Sequence, residues 1–402
     1  MSVTQIKGTG IPRYLPWQGP ALFSQGFRPF FLLAGLSAFG VLALWLAVLL
    51  GRVDLPTAFS PVAWHGHEMI FGVIAAVVAG FLLTAVPNWT GRMPLQGWGL
   101  IGLVLLWLAG RAASATGVWI GPAWAAGVDM LFLPVLLAVV VREVAAGRNW
   151  RNLPVAGALG LLAAANGLSH LENLGLIGTQ GLGFHLGVAV ISCLIALIGG
   201  RIIPSFTGNW LMKQDPAARR PAAFGAFDRA VLALTVAALG AWTAAPTSLA
   251  AAVLLLAAGG AQAARLARWR GAATLAEPLV WSLHAGYLWL PVGLLLLGAA
   301  YFDPGVPQSA GLHALTAGAM GGMVLAVMTR ASLGHTGRPL AAGPATTAVY
   351  VLVLTAAAAR VGAALAPMLH GTLLTAAAVA WCAAFGLFCL AYGPILLRPR
   401  AA

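Results

Sequence analysis

The sequence predicts an all-α polytopic membrane protein with twelve transmembrane helices. Apolar residues make up 60% of its 402 residues and charged residues 8%, whereas soluble domains carry roughly 45–50% apolar and about 25% charged residues. Apolar stretches of about 20 residues, the length that crosses a bilayer as a helix, recur along the chain. The predicted spans are 29–51, 63–87, 97–117, 122–142, 152–172, 181–203, 225–245, 247–266, 276–300, 308–331, 341–366 and 371–396.

The spans are predicted to form one domain, residues 29–396, because the segments between them are short. Residues 1–28 lack a short apolar core with a small-residue cleavage site, so we expect a cytoplasmic segment rather than a cleaved signal. Residues 397–402 are the expected cytoplasmic tail. The longest connection, about 204–224, is rich in Pro and Arg and is expected on the cytoplasmic side.

The positive charge of the chain is distributed by side of the membrane. With the N-terminus in the cytoplasm, all but three of the 22 Lys and Arg residues fall on or near cytoplasmic ends of the spans, the exceptions being Arg52, Arg111 and Arg360. Membrane proteins show such an excess in their cytoplasmic loops. The distribution of the net charge of +13 therefore predicts a multi-pass protein in contact with lipid, with both termini in the cytoplasm. It does not indicate that the protein binds nucleic acid.

Most of the histidines fall in one layer, which the predicted topology places at the periplasmic end of the bundle. Imidazole is costly in hydrocarbon, and neutral imidazole is a common ligand of haem iron and copper. The layer therefore predicts metal binding. Its members are His65 and His67 at the start of span 2, His170 at the end of span 5, and His185, His313 and His370 at the starts of spans 6, 10 and 12.

Helical geometry separates the two histidines of span 2. Residues two apart on an α-helix differ by about 200° in direction, so His65 and His67 are expected on opposite faces unless the first turn is irregular. Glu68 and Glu172 each lie close to a histidine in the same layer. Each carboxylate can orient an imidazole or deliver a proton, and the sequence leaves both roles open.

Spans 2 and 10 share five residues at identical spacing. Span 6 matches more loosely, since His185 opens it and Thr207-Gly208 follow one residue earlier than the spacing requires. The pattern predicts three arcs of four helices, each with a histidine on its second helix. The matched residues are His67, Gly72, Thr90, Gly91 and Arg92 in span 2, and His313, Gly318, Thr336, Gly337 and Arg338 in span 10.

This repeat yields a specific ligand hypothesis. His67 and His313 are expected as the axial pair of a haem, with Arg111 as either a partner of haem propionates or an interfacial anchor. A second metal site would draw on His65, His170 and His185. His284 and His335 lie toward the cytoplasm, where they either ligate a second haem or, for His335, belong to a structured turn.

The arrangement resembles the main subunit of the haem-copper oxidases and nitric oxide reductases, whose spans 2, 6 and 10 supply metal ligands. Those enzymes carry their His-x-His in span 10 and further histidines in span 7. Here the His-x-His lies in span 2 and span 7 has no histidine. The likeness is therefore one of architecture, and it does not by itself predict a copper site.

Four longer motifs carry a second resemblance. They are Ser24–Phe31 (SQGFRPFF), His65–Met69 (HGHEM) with Gly80–Arg92 (GFLLTAVPNWTGR), Gly199–Thr207 (GGRIIPSFT) and Met328–Pro339 (MTRASLGHTGRP). In these motifs, and along nearly its whole length, the chain resembles the NnrS family. The resemblance implies a bacterial inner-membrane protein that contains haem and copper, is associated with denitrification and protects cells from nitric oxide.

The expected function is therefore that of a haem b protein, with one or two haems and copper as a further candidate, that binds, detoxifies or reduces nitric oxide or its iron complexes. If it is an enzyme, it is an oxidoreductase with Glu68 and Glu172 as candidate proton donors and an electron donor that the sequence does not identify. A twelve-helix transporter and a haem-based sensor or accessory protein stay open as alternatives.

Overall fold

A computed structural model describes residues 17–401, so most of the predicted N-terminal segment lies outside the described residues. The described chain contains twelve helices that are long and apolar enough to cross a membrane. They are α1 Phe27–Leu49, α2 Pro61–Thr90, α3 Trp98–Ala115, α4 Pro122–Ala146, α5 Trp150–Asn173, α6 Leu182–Gln214, α7 Ala226–Ala244, α8 Leu249–Ala267, α9 Pro278–Ala299, α10 Gln308–His335, α11 Pro344–Leu365 and α12 Pro367–Leu397.

All twelve predicted spans are confirmed as helices, with one clear difference in length. Helix α6 runs to Gln214, beyond the predicted end at residue 203, so part of the expected cytoplasmic connection is helical. At 1.5 Å per residue, its 33 residues extend about 50 Å, beyond the roughly 30 Å hydrocarbon core. Hydropathy marks only the membrane-buried part of such a helix, and Pro204 lies within it without ending it.

The helices form a closed bundle in which neighbours in sequence are mostly neighbours in space. Helix α12 packs against α1 and closes the ring, and α6 contacts α2, α9 and α10. The most buried spans are α2 and α10, in which 72% of the most apolar segment of the helix is buried. Helices α6 and α9 follow, at 61%. The second helix of each predicted arc is thus among the most buried, while the three-arc pseudo-repeat itself stays a prediction.

Helices α2 and α10 share a local distortion at matching positions. Glu68–Ile74 and Ala314–Met320 are seven-residue π-helical segments, and they begin directly after His67 and His313. A π-helical segment widens the turn and changes the direction of the residues around it, and such segments are frequent at functional sites. The sequence likeness of the two spans therefore extends to their backbone, whereas α6 is α-helical throughout its described length.

Small residues let the central helices approach closely. Gly286 of α9 faces Gly322 of α10, and a Cβ atom on Gly286 would lie 2.9 Å from the backbone nitrogen of Met323. Membrane helices associate mainly through such close packing, because lipid and side chains are equally apolar. This contact holds α9 against α10 directly after the π-helical segment of α10.

Candidate cofactor cavity and buried histidine cluster

A large cavity opens between α1, α2, α10, α11 and α12. It lies at the end of the bundle where α1 ends and α2 begins, which we call the histidine end. Its volume is about 980 Å³, near the upper limit of the roughly 300–1,000 Å³ typical of ligand and cofactor pockets. The lining is mainly apolar, and its imidazole and charged groups are His65, His67, Glu172, His313, Arg360 and His370.

Two of these imidazoles have a fixed tautomer. Nδ1 of His313 donates to the carbonyl oxygen of Ser309 at 2.7 Å, and Nδ1 of His370 donates to the carbonyl oxygen of Ala363 at 2.8 Å. The proton on Nδ1 leaves Nε2 with its lone pair in each ring. Metal-ligating histidines usually hold their second nitrogen in this way, so both rings are prepared to bind a metal through Nε2.

His65 is the third imidazole of the cavity wall. Its ring stacks on Trp45 of α1, with centroids 5.0 Å apart and planes inclined by 17°. Its Nδ1 is buried and has no hydrogen-bond partner, although buried polar atoms are nearly always paired. His313 and Arg360 lie within electrostatic range of His65, so a cationic group and two imidazoles share one region of the cavity.

A second polar group, the buried cluster, lies beside the cavity between α2, α3, α4 and α5. Helix α4 breaks after Asp129 and resumes at Phe132, because Pro134 cannot donate to the carbonyl four residues before it. Asn166 precedes His170 by one helical turn, so both project from the same face of α5. The cluster consists of His67, Glu68, Arg111, Asp129, Asn166 and His170.

Asp129 is the centre of the buried cluster. Its Oδ2 accepts from Nε2 of His170 at 2.8 Å and from Nδ2 of Asn166 at 3.0 Å, and it lies 3.3 Å from Nε2 of His67. Its Oδ1 pairs with Nη2 of Arg111. The carboxylate is only 1% exposed, and a charge so deeply buried requires this number of partners.

The hydrogen bonds of His67 indicate that its ring is doubly protonated. Nε2 donates to Oδ1 of Asn166 at 2.9 Å, and Nδ1 faces Oε1 of Glu68 at 3.4 Å. Oε1 of Glu68 also accepts from Nη1 of Arg111 at 2.6 Å. Because both ring nitrogens face acceptors, the imidazolium and Arg111 together balance the charges of Glu68 and Asp129.

The buried cluster also contains a candidate metal site. Of the residues that the structure describes, one group of three His, Cys, Asp or Glu side chains brings its ligand atoms within 4.8 Å of one another: His67, Asp129 and His170. Two imidazole nitrogens and one carboxylate oxygen suit copper, zinc or iron. The adjacent Arg111 already neutralises part of the negative charge, which opposes the binding of a divalent cation.

Comparison with known proteins identifies the family. The family model described as NnrS protein matches residues 21–400, almost the entire chain. The chain belongs to the NnrS family. No curated protein matches it in sequence. The predicted resemblance is thereby confirmed, and it associates this multi-pass helical protein with nitric oxide.

Within this NnrS chain, the predicted separation of His65 from His67 is observed. His65 stacks on Trp45 of α1, while His67 bonds to Asn166 of α5. The expected second metal site of His65, His170 and His185 stays a prediction, and the structure gives the three imidazoles different surroundings. His65, His170 and His185 do not share partners: His170 bonds to Asp129, and His185 packs against Trp242 at 4.6 Å between centroids.

The axial pairing of His67 with His313 stays a prediction, but the geometry favours other ligands. Both nitrogens of His67 are engaged in the buried cluster, whereas Nε2 of His313 is available. Arg111, the expected propionate partner, forms ion pairs with Glu68 and Asp129 instead. The guanidinium that lines the cavity is that of Arg360.

The remaining candidates lie apart from the buried cluster. Oε1 of Glu172 accepts from the backbone nitrogen of Gly181 at 2.6 Å, so this carboxylate holds the turn before α6 while lining the cavity. Nε2 of His284 pairs with Oγ1 of Thr207 at 2.8 Å. His335 packs against Phe27 of α1 with ring centroids 5.5 Å apart, so these contacts of His284 and His335 are to different helices.

Sequence reasoning missed three residues of these sites. Asp129 is a lone carboxylate inside a predicted span, and such a residue is costly enough to be a functional candidate by itself. Asn166 lies one turn before His170, a spacing that places both on one helix face. Arg360 departs from the charge pattern of the chain, and an intramembrane cation of this kind also requires a partner or a function.

Proposed function

We propose that this protein binds haem b in the large cavity and acts there on nitric oxide. One observation carries the proposal: a mainly apolar cavity of about 980 Å³ whose lining includes four imidazoles and one guanidinium. Nδ1 of both His313 and His370 is tied to a backbone carbonyl. Membership in the NnrS family supports the assignment of the substrate.

The residues of the cavity fit a haem. His313, His370 and His65 are the candidate iron ligands, and the buried, unpaired Nδ1 of His65 is the kind of atom that a ligand would satisfy. Arg360 would pair with a propionate, since guanidinium groups bind carboxylates in a bidentate manner. The haem would supply an iron that binds nitric oxide and passes electrons to it.

The buried cluster would supply protons to the cavity. His67 belongs to the cluster and also lines the cavity, and it holds protons on both ring nitrogens. Reduction of nitric oxide to nitrous oxide consumes both protons and electrons. The electrons must come from a one-electron carrier outside this chain. In this role Glu68 orients the ring of His67 and stabilises its protonated form. Glu172, which lines the cavity, stays a second candidate proton donor.

Copper is the other metal that the family resemblance implies. Its best donor set is His67, Asp129 and His170, because imidazole nitrogen suits copper. The same residues form a charge-balanced network with Arg111 and Glu68, so a bound copper ion would have to displace a proton from His67. Copper content and the proton-donor role of His67 therefore exclude each other at this site.

The direct test is the composition and reactivity of the purified protein. A pyridine haemochrome assay and an iron and copper count are expected to show haem b. The dithionite-reduced protein is expected to change its absorption spectrum on addition of nitric oxide. A colourless protein without iron would contradict the proposal and favour a transporter.

A further inference from the structure

A second, smaller cavity lies among α2, α5, α6 and α10, and we call it the apolar chamber. Its volume is about 100 Å³. Every residue of its lining is apolar, from Val78 of α2 and Leu159 of α5 to Ile195 of α6 and Met323 of α10. The chamber residues of α2 and α6 fall in the middle of these helices, far from either end of the bundle.

The apolar chamber adjoins the large cavity. Ile74, Met320 and Val324 line both spaces, so these three side chains form a shared wall. Ile74 and Met320 are the last residues of the two π-helical segments. The distorted turns that follow His67 and His313 therefore end at the boundary between the two spaces.

We propose that the apolar chamber binds small uncharged gas molecules and delivers them through the shared wall to the large cavity. Water would find no polar partner in this lining, and cavities of this kind stay dry and take up apolar ligands such as xenon. A diatomic gas dissolves readily in hydrocarbon, so its transfer from the lipid into an apolar cavity costs little free energy. The identity of the gas as nitric oxide rests on the proposed function.

Several features favour this ligand over a polar or larger one. A haem or a charged substrate needs polar partners, and the described lining offers none. The volume matches molecules of a few atoms, since a cavity of about 150 Å³ accommodates one benzene or xenon. In the shared wall, Val324 is a small side chain and Met320 an unbranched one that changes rotamer easily.

Xenon uptake tests the chamber independently of any reaction. Crystals of the purified protein pressurised with xenon are expected to show xenon beside Val78 and Ile195. In the Val78→Phe variant the larger ring fills the chamber, and the xenon peak is expected to disappear. Val236→Phe on α7 is the matched control, because Val236 is 58% exposed on the outer surface of the bundle.

Rapid mixing of the reduced haem protein with nitric oxide tests the delivery. The association rate is expected to fall severalfold in Val78→Phe and to stay unchanged in Val236→Phe, with equal haem content in both. Absence of xenon from the wild-type chamber, or a lipid chain there instead, would overturn the proposal and leave the proposed function intact. Xenon in the chamber with an unchanged association rate in Val78→Phe would overturn the delivery. Failure of the wild-type protein to bind nitric oxide would refute the proposed function, while the xenon result would still decide the chamber.

Discussion

Nδ1 of His313 donates to the carbonyl oxygen of Ser309 across 2.7 Å, one turn earlier in α10. The bond uses a carbonyl near the start of the helix and fixes the imidazole in the tautomer that presents Nε2. Nδ1 of His370 in α12 donates at 2.8 Å to the carbonyl oxygen of Ala363, which lies near the end of the preceding helix α11. Two helices thus present ligand-ready imidazoles to one apolar cavity, which is the basis of the haem assignment.

Arg360→Gln is expected to weaken haem binding without preventing folding. A charge-assisted hydrogen bond to a propionate is worth roughly 1.5–3 kcal/mol, which corresponds to about ten- to a hundredfold in haem affinity. Haem transfer to apomyoglobin measures the change. Arg201→Gln is the matched control, because Arg201 is exposed at the opposite end of the bundle, and equal haem loss in both variants would argue against Arg360.

Asp129→Asn is expected to destabilise the fold strongly. The substitution removes the charge that balances Arg111, and breaking a buried ion pair costs about 3–5 kcal/mol. Thermal unfolding in detergent measures the loss. Glu143→Gln is the control, since Glu143 pairs with the partly exposed Arg92 and Arg142, and such pairs contribute about 1 kcal/mol or less. Equal thermal stability of the two variants would refute the structural role of Asp129.

Gly200→Ala is expected to disrupt a second buried ion pair. Nε of Arg265 donates to Oδ1 of Asp228 at 2.9 Å, and a Cβ atom on Gly200 would lie 2.7 Å from Cζ of Arg265. Overpacking of this kind costs about 1–3 kcal/mol. Gly40→Ala in α1 meets no atom within 4 Å and is expected to leave the melting temperature unchanged or raised. A Gly200→Ala protein as stable as Gly40→Ala would contradict the close packing.

His67→Gln is expected to slow the consumption of nitric oxide while haem content and spectrum stay unchanged. Loss of a positioned proton donor typically lowers a rate by about a hundredfold or more. Stopped-flow turnover with an excess of reductant measures the change. His185→Gln is the control because His185 packs against Trp242 outside the buried cluster. Loss of haem from His67→Gln would instead restore the axial pairing that the sequence repeat predicts.

The bundle itself was predictable from the sequence, because hydropathy reports the membrane directly. The twelve spans and the separation of His65 from His67 follow from apolar run length and helical periodicity. The repeat also marked the two places where the backbone becomes π-helical. The sequence could not show that distortion, since it depends on the packing of α2 and α10 inside the bundle.

The composition of the two sites was harder to predict because it depends on contacts between distant spans. Asp129 and Asn166 join His67 only through the packing of α4 and α5 against α2. Arg111 and Arg360 are predicted on the same side of the membrane, yet Arg111 pairs with buried carboxylates and Arg360 lines the cavity. Spacing within one helix shows which residues share a face, but it does not show which faces of different helices pack together.

Haem content of histidine variants tests the central claim most directly. His313→Ala, His370→Ala, His67→Ala and the control His335→Ala would be purified in parallel, and their pyridine haemochrome yields compared at equal protein concentration. We expect haem to be lost or strongly reduced in His313→Ala and His370→Ala and retained in His67→Ala and His335→Ala. Full haem retention in both His313→Ala and His370→Ala would contradict the placement of haem in the large cavity.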